Sequence, residues 1–151
     1  MAAANHCDLA FRALRKIARA ISVHSRDVAK RHGLTTPQIA VLREVSEAGK
    51  LPVSQIAART HLSHATVSGI LDRLERAKVL ERVRDHADRR CVNVRLTPAG
   101  RDEVDRTPPL LKQGFITAFG ELPEWEQMLL LSALERIAAM MSAPAGREED
   151  H

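Results

Sequence analysis

The feature that most constrains the fold is the order of short segments in the middle of the chain. Within residues 53–96, two helical patterns separated by a turn are followed by two runs that alternate like strands. The predicted segments are a helix at Val53–Arg59, a turn at His61-Leu62, a helix capped by Ser63 that runs to about Ala77, and strands at Leu80–Arg84 and Cys91–Leu96. A helix-turn-helix followed directly by a hairpin is therefore predicted.

The tip of this hairpin is strongly charged. The stretch RVRDHADRRCVNVRL, residues 82–96, carries five arginines and two aspartates. A hairpin that follows a helix-turn-helix can lay its tip into the minor groove of DNA, where the negative potential attracts arginine. We predict that Arg89 and Arg90 contact DNA and that Asp88 orients a neighbouring arginine through charge-assisted hydrogen bonds. The alternative interpretation is an ordinary solvated turn.

The second helix of the helix-turn-helix has a distinctive outward face. Its inward positions are apolar, at Val67, Ile70, Leu71 and Leu74, whereas its outward positions carry short hydrogen-bonding side chains first and arginine later. A helix in the major groove presents its N-terminal residues to base edges, and its later basic residues reach phosphates. This segment is therefore predicted to be a DNA-recognition helix. The outward residues are His64, Thr66, Ser68, Asp72, Arg73 and Arg76.

Long helices with broad apolar stripes are predicted at both ends of the chain, at Leu9–Arg31 and Pro123–Met141. A small middle segment covers only part of such stripes, so two-fold association is predicted. The predicted fold class is mainly α with a small β-hairpin wing: a winged helix-turn-helix whose N- and C-terminal helices form a dimerisation domain. The regions are a helical dimerisation region at 1–35 and 106–143, a winged helix-turn-helix DNA-binding region at 36–105, and a disordered tail at 144–151.

Charge and composition narrow the function classes. The 151 residues carry a formal net charge of +4 and the pI is about 9.6, a modest excess of base whose distribution matters more than its total. No signal peptide or membrane-length apolar run is evident, and two cysteines do not suggest a disulfide scaffold, so a cytoplasmic protein is expected. The chain lacks a glycine-rich phosphate loop and the G-x-S-x-G and H-E-x-x-H motifs, so neither an enzyme nor a cofactor is predicted.

Two histidines and a cysteine were candidates for metal or redox chemistry. His61 and His64 stand at i, i+3 spacing, but no carboxylate or cysteine close in sequence completes a site, so no metal is predicted and His64 is assigned to DNA. Cys7 is a candidate oxidant sensor. A sensor thiol needs a lowered pKa, and His6 and Arg12 are the local groups that could lower it.

Some residues of the first helix could line a binding site for a small molecule. His24 lies on this helix and His32 just past its end, where they could line a pocket between the dimerisation helices and the DNA-binding region. Arg15 and Arg26 could pair with an anionic effector. The candidate pocket residues are therefore Arg15, His24 and Arg26, and the alternative is an ordinary amphipathic surface.

The segment LPVSQIAARTHLSHATVSGILDRLERAKVLERVRDHADRRCVNVRLTPAG, residues 51–100, resembles the winged-helix core of MarR-type transcriptional regulators. The strongest pieces are LSHATVSGILDRLE, the DRR at the wing tip and LTPAG after the wing. The resemblance extends to GLTTPQIAVLREV and more loosely to both terminal helices. It implies an obligate homodimer of triangular outline that represses a promoter through a palindromic double-stranded DNA site and is released by a small ligand or an oxidant.

The resemblance also implies roles for particular residues. In the family pattern the positions matching Ser63, His64, Thr66, Ser68 and Arg73 face the major groove. The wing positions match Asp88 and Arg90, with Arg90 entering the minor groove. The terminal segments FRALRKIARAISVHSR and LPEWEQMLLLSALERIAAMM are most similar to a branch that represses genes for compatible solutes, ectoine or betaine. Oxidant sensing through Cys7 and a protein-interaction adaptor that does not bind DNA are the alternative functions.

Three positions depart from the family pattern. Lys78 stands where a glycine usually ends the recognition helix, and a left-handed non-glycine residue there costs about 1 kcal/mol. Gly69 stands where a larger residue, often arginine, is common, which puts base specificity in doubt. Pro52 stands where a capping threonine or serine is frequent.

Overall fold

The structure is a computed structural model that describes residues 2–88 and 90–143, the side chains of residues 2–4 excepted. Within these residues it contains seven helices and a three-stranded antiparallel sheet. The elements are α1 (Ala2–His32), α2 (Thr36–Ala48), β1 (Leu51–Pro52), α3 (Val53–Thr60), α4 (His64–Arg76), β2 (Leu80–Arg84), β3 (Val92–Leu96), α5 (Pro98–Arg106), α6 (Gln113–Gly120) and α7 (Glu124–Ser142). The predicted mainly α fold with a small hairpin wing is confirmed.

Three helices begin at a side-chain cap, and one of these caps, Ser63 of α4, was predicted from the sequence. The Thr35 side chain accepts a hydrogen bond from the backbone N–H of Gln38, and the Gln38 side chain accepts one from the backbone N–H of Thr35, which is a capping box. Ser63 caps α4 and Thr97 caps α5 by accepting one hydrogen bond each, from the backbone N–H groups of Thr66 and Gly100. By contrast, Pro52 precedes α3 without a side-chain hydrogen bond. These caps fix where the helices of the DNA-binding region begin.

The predicted start of the first helix at Leu9 is wrong, because α1 already begins at Ala2. Alanine has the highest helix propensity, so Ala2–Ala4 extend the helix beyond the predicted boundary. It ends at His32, one residue beyond the predicted Arg31, and His32 therefore lies in the helix and not past its end. Gly33 follows with a φ of +74°, and its backbone N–H donates to the Ala29 carbonyl at 2.9 Å. The helix covers the predicted dimerisation segment and continues to the edge of the DNA-binding region.

The sheet contains a strand that the sequence did not predict. Leu51 and Pro52 form β1, which pairs with Val94 and Asn93 of β3, so the strand order is β1-β3-β2. β1 has only two residues, too few to show an alternating pattern, and proline is usually a signal against a strand. Because β1 lies at the edge of the sheet, Pro52 can take this place. The wing is therefore anchored to the segment between α2 and α3.

The core lies between α2, α3, α4 and the sheet. All four inward positions predicted for α4 are buried. The buried residues of the central cluster are Val41, Leu42, Val45, Leu51, Ile56, Ala57, Val67, Ile70, Leu71, Leu74, Leu80, Val94 and Leu96. No aromatic residue belongs to this cluster, as expected for a chain with three Phe, one Trp and no Tyr. Burial of these aliphatic side chains holds the recognition helix and the base of the wing together.

The chain divides into two units, Met1–Leu110 and Leu111–His151. In the second unit, α6 and α7 contain no buried residue among those described, and the tail predicted at 144–151 lies outside the described residues. Large apolar side chains are exposed there and on α1. They include Leu9, Phe11, Ile17 and Ile21 of α1, and Phe115, Trp125, Leu129, Leu130, Leu134 and Met141 of the second unit. No helix among the described residues is long and apolar enough to cross a membrane.

Candidate nucleic-acid interface

The N-terminus of α4 is built by a tight turn and a serine cap. His61 takes a left-handed conformation, with a φ of 53°, and ends α3. Ser63 Oγ then accepts a hydrogen bond from the Thr66 backbone N–H at 3.1 Å and lies 2.8 Å from the Thr66 hydroxyl. His64, between them, is exposed. The polar side chains at this end of α4 are therefore ordered by the cap before any ligand arrives.

The predicted DNA-contacting residues of α4 lie on two sides of its exposed face. At 100° per residue, His64 and Ser68 project about 160° away from Thr66 on the helical wheel. Arg73 lies on the side of Thr66. The residues between the two sides, at the centre of the exposed face, are Ala65, Gly69, Asp72 and Arg76, all exposed. Asp72 and Arg76 were predicted to face outward, whereas Ala65 and Gly69 were not, and the angular spacing of residues on the wheel would have found them.

Gly69 opens a shallow groove beside α4. The groove is lined by Thr35, Pro37 and Gln38 from the start of α2, and by Ala65, Thr66, Gly69, Ile70 and Arg73 from α4. A β-carbon added at Gly69 would have no atom within 4 Å. Packing within the chain therefore does not require glycine at this position. A larger side chain there would project from the exposed face of α4.

The wing tip is organised by two aspartates. Asp85 Oδ1 accepts a hydrogen bond from the Ala87 backbone N–H at 2.9 Å, and Asp85 Oδ2 accepts one from Asn93 Nδ2 at 3.1 Å. The Ala87 and Asn93 hydrogen bonds lower the pKa of the Asp85 carboxyl below its ordinary value. Backbone hydrogen bonds between Asp85 and Cys91, and between Cys91 and Asp88, close the turn.

Asp88 orients the wing arginine differently from the prediction. Its Oδ1 accepts a hydrogen bond from the backbone N–H of Arg90 at 2.9 Å, so the contact found fixes the Arg90 main chain and not a guanidinium. Short acidic side chains commonly bond the backbone two residues on, and this competes with pairing to a flexible arginine. The Arg90 side chain is exposed at the tip. Arg89 lies outside the described residues.

The base of the wing is joined to α4 by an ion-pair network. Arg82 of β2 donates from Nη2 to Asp72 Oδ1 at 2.8 Å, and its Nη1 pairs with Glu75 Oε2. Its backbone N–H also donates to Glu75 Oε1 at 3.3 Å. Partial burial lowers the pKa of the Arg82 guanidinium, but the hydrogen bonds and charges of Asp72 and Glu75 together raise it above its ordinary value. The wing and the recognition helix are thus linked by charge as well as by the core.

The three predicted effector residues do not form one pocket among the described residues of a single chain. Arg15 and Arg26 share a face of α1, but eleven residues separate them, about 16 Å along the helix. His24 points about 160° away from Arg26, and its Nε2 lies 3.1 Å from the Pro109 carbonyl oxygen. The Arg15 guanidinium carbon lies 5.7 Å from the centre of the Phe11 ring.

Arg43 was missed as a candidate functional residue. Its Nη2 donates to the Pro108 carbonyl at 2.8 Å, next to the carbonyl that His24 contacts. Side chains of α1 and α2 therefore hold the connector Thr107–Pro109 that follows α5. The partners of Arg43 are 64 and 65 residues away in the chain, so no local pattern could have indicated this contact.

The described residues show no metal-binding cluster. No group of three or more His, Cys, Asp or Glu side chains in this part of the chain could hold an ion. Cys7 is an exposed free thiol on α1, and Cys91 is a half-buried free thiol next to the wing tip. Neither cysteine is part of a disulfide.

Comparison with known proteins identifies the family. The profile of the MarR family matches residues 32–90, from the end of α1 to the wing tip. The uncharacterized HTH-type transcriptional regulator YkoM of Bacillus subtilis (strain 168) is 30% identical over 126 residues, which cover 83% of this chain and 82% of YkoM. The chain belongs to the MarR family. A second regulator of the same organism, YsmB, is 32% identical over 89 residues, and the match spans 59% of this MarR-family chain and 61% of YsmB, less than two thirds of that relative.

A solved structure of similar fold is that of BpsR from Bordetella bronchiseptica, whose DNA binding is regulated by 6-hydroxynicotinic acid. It matches with a TM-score of 0.69 and 28% identity, covering 87% of this chain and 98% of the BpsR chain. The relatives and structural neighbours of this MarR-family chain are DNA-binding transcriptional regulators, not enzymes. MarR-family regulators bind DNA as dimers and respond to small-molecule ligands.

Proposed function

We propose that this MarR-family regulator is a cytoplasmic homodimeric repressor that binds a palindromic operator and is released by a small-molecule effector. Residues 36–105 bind DNA, and residues 1–35 and 106–143 form the dimer. The observation that carries the proposal concerns the DNA-binding region. This region contains both a capped, exposed recognition helix and a hydrogen-bonded wing tip at which Arg90 is exposed. Such a pair suits simultaneous contact with a major groove and the adjacent minor groove.

In the proposed complex, the two ends of the exposed α4 face have different roles. The N-terminal residues Ser63, His64, Thr66 and Ser68 approach base edges, because a recognition helix enters the major groove by its N-terminal end. Arg73, two turns later, reaches the phosphate backbone. In the wing, Arg90 enters the minor groove, Arg89 also contacts the DNA, and Asp88 holds the main chain of Arg90 in place.

The exposed apolar side chains of α1, α6 and α7 support the proposed dimer. Ile17 and Ile21 are 45% and 46% exposed, and Leu130 and Leu134 are 41% and 46% exposed. Both pairs have i, i+4 spacing, so α1 and α7 each carry an apolar stripe that the rest of its own unit leaves partly exposed. Contiguous apolar surface of this kind marks a protein interface. In a two-fold dimer the same apolar surface is buried in both protomers. An operator that matches this symmetry is palindromic.

An anionic effector is proposed from the basic residues of α1 and from the behaviour of BpsR. Arg15 and Arg26 supply positive charge on one face of α1, and His24, on another face, is a hydrogen-bonding group next to the connector after α5. BpsR is regulated by an aromatic carboxylic acid. Control of ectoine or betaine genes remains the proposed regulon. A thermal-shift screen that includes aromatic acids and compatible solutes tests both ideas, since a ligand that binds the native state raises its melting temperature.

Selection from a random duplex library tests the proposed function most simply. The wild-type protein is expected to enrich an inverted repeat with half-site centres about 10 base pairs apart, one turn of the double helix. Enrichment of an asymmetric site would contradict the two-fold dimer. Failure to retain any duplex would favour the protein-interaction adaptor instead.

A further inference from the structure

An arginine occupies an inward position of the wing. In the antiparallel register, Leu80 pairs with Leu96 and Arg82 pairs with Val94, so these four residues share one face of the sheet. Leu80, Val94 and Leu96 are buried. Alternation along β2 therefore places a guanidinium where a fourth apolar side chain is expected. A charge at the margin of a core costs free energy unless it is paired.

Arg82 finds its partners on the recognition helix. Nη2 donates to Asp72 Oδ1, Nη1 pairs with Glu75 Oε2, and the Arg82 main-chain N–H donates to the second oxygen of Glu75. The Arg82 side chain is 26% exposed, compared with 55% for Asp72 and 41% for Glu75. Because one planar guanidinium bridges two carboxylates of α4, the hairpin cannot rotate about α4 without losing an ion pair.

The same contacts change the charge that the lobe presents to DNA. Asp72 lies on the exposed face of α4, one helical turn after Ser68 and Gly69. A carboxylate facing a phosphate backbone is repelled, and Glu75 adds a second negative charge nearby. Arg82 places a compensating positive charge between the two carboxylates. The net negative charge that these two carboxylates present to a DNA surface is thereby halved.

We propose that Arg82 is a positioning residue for operator recognition, which sets the angle of the wing to α4 and offsets one of the two negative charges of Asp72 and Glu75. This inference rests on the proposed function, in which α4 and the wing bind one duplex together. It requires no contact between Arg82 and DNA. The two effects are separable, because the wing angle governs preference for the correct sequence, whereas the charge governs attraction to any duplex.

Arg82→Lys separates the two effects, since lysine keeps the charge but lacks the planar fork that holds two carboxylates. The probes are the duplex that wild type enriches from the random library and a scrambled duplex of the same length. We expect R82K to bind the scrambled duplex within about threefold of wild type. Its preference for the enriched duplex falls by about tenfold or more.

Arg82→Ala removes both the fork and the charge. This variant is expected to lose affinity for the scrambled duplex as well as preference for the enriched one. Adding Asp72→Asn and Glu75→Gln to R82A restores affinity for the scrambled duplex, because the uncompensated carboxylates are gone, but does not restore the preference. If Arg82 only stabilised the fold, affinity for the scrambled duplex would not recover without the preference for the enriched duplex. Melting curves at equal protein concentration report folding, and if R82A melts below the assay temperature, R82K decides the question alone.

Arg95→Ala is the matched control. Arg95 Nε pairs with Glu81 Oε1 at 2.6 Å, and these residues lie opposite each other on the two wing strands, so the pair belongs to the hairpin itself. We expect R95A to bind both duplexes within about threefold of wild type, as for an exposed ion pair. A loss in R95A equal to that in R82A would overturn the special role of Arg82.

Binding by the wild-type protein distinguishes failure of the proposed function from failure of the positioning role of Arg82. If wild type binds neither duplex, the proposed function fails and the role of Arg82 fails with it. If wild type prefers the enriched duplex and both R82K and R82A keep that preference, the proposed function stands and the positioning role is overturned.

Discussion

Gly100 lies against the main-chain carbonyl of Val79, so close that a β-carbon added to the glycine would stand 1.8 Å from the carbonyl oxygen. The same carbonyl accepts a hydrogen bond from the Thr97 backbone N–H at 3.1 Å, and the Thr97 hydroxyl donates to the Lys78 carbonyl at 2.7 Å. The start of α5 is therefore pressed onto the turn that ends the recognition helix. This contact explains the glycine of the LTPAG motif.

Gly100→Ala is expected to destabilise the protein by about 1–3 kcal/mol or more, because the methyl group overlaps a backbone atom that cannot move freely. The free energy of unfolding, measured with denaturant at fixed protein concentration, checks this. Gly69→Ala is the control, since its β-carbon meets no atom within 4 Å. It should leave stability unchanged or raise it by up to about 1 kcal/mol. Equal effects of the two substitutions would contradict the packing described for Gly100.

Acid should loosen the wing tip below the pH at which ordinary aspartates protonate. The Ala87 and Asn93 hydrogen bonds depress the pKa of Asp85, so its folded value lies below the unfolded value of about 3.9. The stability that these hydrogen bonds contribute is present above about pH 4 and is lost as the pH falls through the folded value. The backbone amide shift of Ala87, followed by NMR as acid is added, should therefore change below about pH 4. A midpoint above that value would contradict the account, and Asp85→Asn should abolish the transition.

His64→Ala is expected to relax sequence preference more than it lowers affinity for DNA in general. His64 is exposed at the N-terminal end of α4, where side chains meet base edges. Competition between the enriched duplex and single-base variants of it measures the preference, and loss of one base contact costs about 1–3 kcal/mol at the contacted position. Arg73→Ala is the comparison, and it should weaken binding to every sequence alike. If His64→Ala lost the same affinity for every sequence, His64 would contact the DNA backbone and not the base edges.

A carboxylate on the apolar stripe of α7 should break the dimer. Leu134 is 46% exposed within its own unit, and burying a charge there across a subunit interface is unfavourable. Leu134→Glu should sediment as a monomer, and its affinity for the enriched duplex should fall about a hundredfold or more as bivalent contact is lost. Ala48→Glu adds the same charge at an exposed position at the end of α2 and should remain dimeric. If Leu134→Glu remained dimeric, the apolar stripe of α7 would not be part of the dimer interface.

Much of the fold could be predicted because its signals are local. The spacing of Val67, Leu71 and Leu74 indicated the buried side of α4, and the buried residues agree. The resemblance to the family implied a left-handed conformation at Lys78, which stands where a glycine is usual, and its φ is 60°. His61 has the same conformation, with a φ of 53°, but no glycine or asparagine there indicated it. A single non-glycine residue in this conformation has no reliable sequence signal.

The contacts that organise the candidate site were harder to predict, because they join residues distant in sequence. Arg82 could have been recognised as unusual, because it occupies the inward position of β2 that follows the buried Leu80, where an apolar residue is expected. Its partners on α4 could not, because they depend on how the hairpin packs. Arg43 and His24 bind the carbonyls of Pro108 and Pro109 across separations of 65 and 85 residues. Backbone carbonyls are present at every residue, so no residue type identifies such an acceptor.

The dependence of duplex affinity on salt, measured for wild type and for Arg90→Ala, tests the central claim most directly. A dimer that neutralises about eight phosphates should show a slope of about −7 for log affinity against log salt. Arg90→Ala should remain dimeric, bind more weakly, and show a slope shallower by about one for each phosphate contact it loses. Affinity that does not respond to salt, or an Arg90→Ala dimer that binds like wild type, would contradict a DNA-binding lobe that places its wing in the minor groove.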